Sequence, residues 1–185
     1  LGYLPQETSI FRGMTVEQNI GSVLELMDPD AALRERELER LLEEFKHHRN
    51  IRPIVTIVGM GRYSEDLVIG AKKLADKHGV LLKMHSSNYV ANIQQNRWET
   101  GYRPIEHLDK LGVLDENTVL VHMVYVNQKE IEILAKRKAK VVHCPSTALR
   151  SSYGLIFGRF PEMLEAGIPV ALGSDCSDCS NYHDM

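Results

Sequence analysis

Four residues able to bind a metal or move a proton each close a short apolar run in the second half of the chain. His85 ends Val80-Leu81-Leu82-Lys83-Met84-His85, and His122 ends Thr118-Val119-Leu120-Val121-His122. His143 follows Lys140-Val141-Val142, and Asp175 closes Pro169-Val170-Ala171-Leu172-Gly173-Ser174-Asp175. Neutral imidazoles and carboxylates are the donors of a divalent-metal site. A catalytic site keeps one position open for water, whose pKa falls from about 16 toward 7 on binding. An aspartate there can serve as ligand and as the base for that water. One such histidine alone would read equally well as a hydrogen-bonded polar residue. The same placement after four successive runs predicts one shared site.

A shared site requires the runs to be parallel strands. In a sheet built from βα units the C-terminal strand ends all reach one face, where loops vary over a rigid frame. From Arg52-Pro53 onward the chain has that alternation. Ile54 to Val58 is a β-branched run. Ser64 caps a helix with core face Leu67, Ala71, Leu74 and Ala75, and Gly79 stops it. Ser86 to Arg103 reads as a longer excursion, leading to a helix begun by Pro104 and ended by Gly112. Asn127 with Glu130 three residues on is a capping box for the next helix. A Ser/Gly-rich loop follows His143, and a helix from Pro161 to Gly167 precedes the last strand. Five strands alternating with four helices specify an α/β fold with a parallel sheet and right-handed crossovers. Gly59-Met60-Gly61 lacks the third glycine of a dinucleotide fingerprint. Histidines at the strand ends favour part of a closed TIM-like (β/α)8 barrel, which takes about 250 residues in full.

Residues 1–49 have a different, helical pattern. Thr15-Val16-Glu17-Gln18 is a capping box ahead of Ile20, Val23, Leu24 and Met27. Asp28-Pro29 starts a second helix with the stripe Leu38, Leu41, Leu42 and Phe45. Its Arg34, Arg36 and Arg40 are balanced by Glu35, Glu37, Glu39, Glu43 and Glu44, the pattern of a solvated face.

Composition narrows the class. The 185 residues, 43% hydrophobic and 25% charged, are those of an ordinary globular protein. A net charge of −3 gives no footprint for nucleic acid. No apolar stretch approaches the roughly 20 residues that span a bilayer, so no membrane insertion is expected. Cys144, Cys176 and Cys179 are too few for a disulfide framework and fit a cytoplasmic location. Cys176 and Cys179 have the spacing of half a zinc ribbon, without a second pair. The chain starts inside an apolar stretch and stops after a polar loop, so it is expected to be a fragment.

Residues 51–185 resemble the C-terminal half of the amidohydrolase superfamily barrel, in the group of cytosine, guanine and S-adenosylhomocysteine deaminases and triazine hydrolases. The matching stretches are Lys83-Met84-His85-Ser86-Ser87, Thr100-Gly101-Tyr102-Arg103-Pro104-Ile105-Glu106, Leu120-Val121-His122, Val141-Val142-His143-Cys144-Pro145-Ser146-Thr147 and Glu165 through Asp175. The resemblance implies strands equivalent to the fourth through eighth of the barrel. It implies His85 as the fifth-strand ligand and His122 as the sixth-strand histidine near metal or substrate. Asp175 would be the eighth-strand ligand and base, with His143 facing a small-molecule substrate. The metal would be zinc or iron, and the reaction hydrolysis of a C–N bond in a cyclic amidine or nucleobase-like compound.

Two departures accompany the resemblance. No His-x-His pair is present to supply the family's first-strand ligands, and Asn88 stands where the family usually has a proton-shuttling glutamate. Asn88 can hydrogen-bond a substrate but cannot relay a proton at neutral pH. The fragment is therefore expected to be inactive alone. Gly2-Tyr3-Leu4-Pro5-Gln6-Glu7-Thr8-Ser9-Ile10-Phe11 and Met14 to Ile20 resemble the Q-loop region of a lipopolysaccharide-export type ABC-transporter ATPase, with Gln6 as the Q-loop glutamine. No Walker A loop accompanies them. The expected domains are an ATPase-like segment at 1–49 and a truncated barrel at 50–185, joined as a chimera near Asn50. The alternative function is an interaction piece of an ABC exporter. A half barrel leaves open sheet edges, which predicts self-association.

Overall fold

The computed structural model describes residues 31–59, 64–150 and 158–175. In chain order the elements are α1 (Ala31–Phe45), β1 (Ile54–Gly59), α2 (Glu65–His78), β2 (Leu81–Ser86), α3 (Val90–Thr100), α4 (Pro104–Lys110) and β3 (Thr118–His122). They continue with α5 (Gln128–Arg137), β4 (Lys140–His143), α6 (Pro145–Arg150), α7 (Phe160–Glu165) and β5 (Val170–Leu172). The strands form one parallel sheet in the order β1-β2-β3-β4-β5, each joined to the next through helix. Gln6, the Thr15 capping box, Cys176 and Cys179 lie outside the described residues.

Local chemistry sets most of the boundaries. The Ser64 hydroxyl accepts from the Leu67 amide, and Gly79 ends α2 at φ 63, a left-handed conformation that costs glycine little. Asn127 and Glu130 form the expected reciprocal cap on α5. Two helices occupy stretches that the sequence suggests are loops, α3 within the excursion after Ser86 and α6 within the Ser/Gly-rich loop. The N-cap of α3, Tyr89, makes no side-chain capping bond, and one of the two buried residues of that helix is Asn96. Neither a cap nor an apolar stripe announces it. Tertiary bonds hold it instead, with Asn96 Nδ2 donating to the Tyr102 carbonyl at 2.8 Å and Asn96 Oδ1 lying 3.4 Å from His107 Nδ1.

One face of the sheet is covered by helices. Ile57, Leu82, Met84, Leu120 and Val141 join Val68, Ala75, Leu108, Ile131, Leu134 and Met163 in a continuous core. The other face carries Lys83, Val119 and Val142, all partly buried, and Ala171, which is exposed. Glu130 is fully buried between α4 and α5. It accepts from Arg103 Nε at 2.7 Å, the Asn127 amide at 3.0 Å and the Ile105 amide at 3.3 Å, so its charge is paired and its lone pairs are used.

Helix α1, on the N-terminal side of the boundary expected at residue 49, shares this core through Leu42. Lys77 Nζ lies 2.5 Å from Glu39 Oε1, and His78 Nδ1 lies 2.7 Å from Glu43 Oε1, which docks α1 on α2. No helix among the described residues is long and apolar enough to cross a membrane.

Candidate metal centre

Strand alternation aims His85 at the open face. Along β2, Leu82 and Met84 pack under the helices while Lys83 and His85 point the other way. Its neighbour β1 comes very close here: a Cβ on Gly59 would stand 2.3 Å from the His85 carbonyl oxygen. Only glycine fits, and its φ of 142 is one that side-chain-bearing residues rarely adopt.

His122 reaches the same place by a different device. Alternation alone would put it with Leu120, under the helices. Its φ is 78 and that of Met123 is 52, so the chain leaves strand geometry at this residue. The imidazole ring centre then lies 5.1 Å from that of His85. Ser87 and Asp175 are also left-handed, at φ 52 and 62. Four of the five non-glycine residues with positive φ among those described thus stand at the strand ends around this cluster. Such conformations cost about 1–3 kcal/mol each and concentrate where geometry serves function.

Asp175 completes the group, three residues beyond β5. One ligand atom each from His85, His122 and Asp175 lie within 4.8 Å of one another, and His122 Nε2 is 3.8 Å from Asp175 Oδ2. Burial, reinforced by the nearby His85, brings the His122 pKa down to about 4 against the opposing pull of Asp175. The ring is therefore neutral at physiological pH and keeps the lone pair that a metal requires. Two imidazoles and a carboxylate at this separation fit a divalent cation with an open position.

His143 is placed elsewhere. It shares the parity of Val141, on the helix-covered face, and its ring stacks on Phe160 of α7 at 3.8 Å. It is 8% exposed, its Nδ1 is buried without a hydrogen-bond partner, and burial lowers its pKa. The next residue, Cys144, has the opposite parity, and its sulfur lies under the turn to Asp175, 3.4 Å from where a Cβ on Gly173 would stand. Sequence reasoning does not single out Cys144 for this site, because no histidine or carboxylate marks it. Nor does it single out Lys83, for which alternation with His85 is the available signal. Asn88 precedes α3, and its Oδ1 accepts from Asn92 at 3.4 Å.

Comparison with known proteins gives this site a family. Residues 10–185 match the amidohydrolase family. This chain belongs to the amidohydrolase family. The match crosses the junction expected at Asn50, and no ABC-ATPase segment is shown by any relative. A 5-methylthioadenosine/S-adenosylhomocysteine deaminase of Aquifex aeolicus is 34% identical over 136 residues, covering 74% of this chain and 31% of the relative. A 5'-deoxyadenosine deaminase of Methanothrix thermoacetophila is 26% identical over 183 residues, covering 99% of this chain and 43% of the relative. The amidohydrolase chain thus spans about a third of the length of the Aquifex relative.

Solved structures agree on the fold. An adenosine deaminase from Xanthomonas campestris with bound zinc superposes with a TM-score of 0.77 at 23% identity, over 82% of this chain and 34% of that one. Guanine deaminase from C. acetobutylicum, with guanine in its active site, gives a TM-score of 0.69 at 26% identity, over 81% of this chain and 37% of that one.

Proposed function

We propose that this amidohydrolase chain carries the reacting end of a metal-dependent aminohydrolase site that hydrolyses a C–N bond of a small cyclic amidine or nucleobase-like substrate. The observation that carries the reading is the convergence of His85, His122 and Asp175 within 4.8 Å at the ends of parallel strands. The deaminase activities named for its relatives support the substrate class. On this reading the five strands are equivalent to the fourth through eighth of an eight-stranded barrel. The remaining strands lie in the two thirds of the relatives that this chain does not cover.

His85 and Asp175 would hold the ion, zinc or iron, with His122 beside them. The ion supplies Lewis acidity toward water and substrate. His122, neutral and buried, can donate its remaining N–H to a substrate ring atom and polarise it. Asp175, the cluster's one carboxylate, takes the proton from the attacking water. Asn88 offers a hydrogen bond but no transferable proton, so the leaving amine must also receive its proton by way of Asp175. His143, stacked on Phe160 at the helix-covered face, would stand outside this constellation. A small-molecule substrate, a cytoplasmic setting and self-association through the edges of β1 and β5 complete the proposal.

Metal content tests it. The purified chain should retain near-stoichiometric zinc or iron, and His85→Ala should lower metal affinity by at least about tenfold without unfolding the protein. Wild-type chain that binds zinc and iron no better than His85→Ala would overturn the reading.

A further inference from the structure

Strict alternation would leave His122 on the helix side, so something beyond strand pairing must hold the left-handed turn that brings it to the cluster. The next residue, Met123, takes the place under the helices. Pairing with β4 ends at Val121 and Val142, one residue short of His122. On the β2 side the chain stays zipped past the strand. The Met123 amide donates to the Ser86 carbonyl at 3.1 Å, and the Tyr125 amide to the Ser87 carbonyl at 2.9 Å. Tyr125 is thus where the two histidine-bearing strand ends meet. Its own carbonyl accepts from Arg103 Nη2 at 2.7 Å. The same guanidinium gives its Nε–H to Glu130 at 2.7 Å. Glu130 is fully buried and also accepts from the Ile105 and Asn127 amides, so the starts of α4 and α5 hold its carboxylate still.

We propose that Arg103 is a positioning residue of this site: anchored on Glu130, its guanidinium holds the Tyr125 carbonyl and so fixes the left-handed turn that sets the His122 imidazole beside His85. The inference rests on the metal-site reading given above. Arg103 offers no ligand atom to the cluster and acts through the backbone between Tyr125 and His122. A guanidinium suits the task because its planar fork carries several N–H donors in fixed directions, here one for a carboxylate and one for a carbonyl. Its bond to Glu130 is charge-assisted, which makes a firm anchor. Two further ion pairs join α5 to α4, Lys129 to Glu106 at 2.6 Å and Arg137 to Asp109 at 2.6 Å, but these run from side chain to side chain. Residues that orient a metal ligand are worth about 10–100-fold in metal affinity.

Two substitutions separate positioning from bracing. Arg103→Lys keeps a cation for Glu130, but a single ammonium cannot reproduce the fork. Arg137→Gln cuts a different link between α4 and α5 and is the control for bracing alone. On the whole chain, the NOE between the His85 and His122 rings, whose centres are 5.1 Å apart, is measured without metal, and Co(II) affinity is measured separately. Arg103→Lys should lose most of that NOE and bind Co(II) about tenfold more weakly, whereas Arg137→Gln should match wild type. An unchanged NOE in Arg103→Lys, or equal losses in the two variants, overturns the proposal. So does a lost NOE with unchanged Co(II) affinity. Should wild type bind no Co(II), the metal reading fails, and the NOE comparison alone decides whether Arg103 places His122. Should Arg103→Lys not fold, wild type decides: by linkage Co(II) should slow exchange of the Tyr125 amide about tenfold, and unchanged exchange overturns the proposal.

Discussion

The two faces of the sheet differ in what they contribute. The helix-covered face holds Leu82, Met84, Leu120 and Val141 at no more than 1% exposure. The open face carries partly buried Lys83, Val119 and Val142, an exposed Ala171 at the β5 edge, and Val121 at 4% exposure near the site. Stability is therefore concentrated on one face, whereas His85, His122 and Asp175 gather at the rim of the other. The lesson is that the helix-covered face supplies the packing that holds, from behind, the donors at the opposite rim.

Paired substitutions on adjacent residues of β3 should expose that asymmetry most strongly. Leu120→Ala removes a fully buried side chain and should cost about 2–5 kcal/mol. Val119→Ala, one residue away on the open face, should cost about 1 kcal/mol or less, because it removes a smaller group and the residue is only partly buried. Urea unfolding of both variants measures the difference. Similar losses would show that the open face is packed after all.

Acid should weaken the helix-covered side next. Lys72, 6% exposed, pairs with Asp76 and with Asp115 at 2.6 Å. Burial acts to raise the Asp115 pKa, but the Lys72 hydrogen bond and the Asn117 amide outweigh it and hold the carboxyl below its ordinary value. The corresponding bonds raise Lys72 against its own burial. A depressed carboxyl stabilises fully above the unfolded value, about pH 4, and that stability is lost as pH falls through the lower folded value. A raised lysine stabilises fully below its unfolded value, about pH 10.4, and that stability is lost as pH rises through the higher folded value. Wild type should therefore lose more stability than Asp115→Asn between pH 5 and pH 2, as read by urea midpoints. Parallel losses in the two proteins would remove this network from the acid response.

The smallest effect on folding should come from the open edge. Leu172→Lys places a charge on an exposed edge strand and should change stability by about 0.5 kcal/mol or less. It should nevertheless reduce self-association seen by light scattering at micromolar concentration. Wild type that is already monomeric would show that the edges of β1 and β5 are not sticky.

Much of this architecture is legible in the amino-acid sequence. The capping signals at Ser64, Asn127 and Glu130, the stop at Gly79 and the apolar runs ending at His85 and His122 are local. Short-range sterics and hydrogen bonds produce them wherever the sequence occurs. Helices α3 and α6 are not legible, because α3 has no side-chain cap and buries Asn96, and α6 is only six residues long. The Asn96 bonds that hold α3 run to Tyr102 and His107, which become partners only once the chain has turned back.

By itself, then, the sequence determined the alternation of strands and helices, the family and the residue types from which a metal site could be drawn. It could not say which side chains share a face at the end of a strand. Strict alternation puts His122 on the helix side, and a left-handed backbone brings it back to the cluster. The same alternation leaves His143 against Phe160 and puts Cys144 under the Gly173 turn instead. Those outcomes depend on backbone angles at the last residue of a strand. Packing between strands far apart in the chain sets these angles, so only the tertiary structure could decide them.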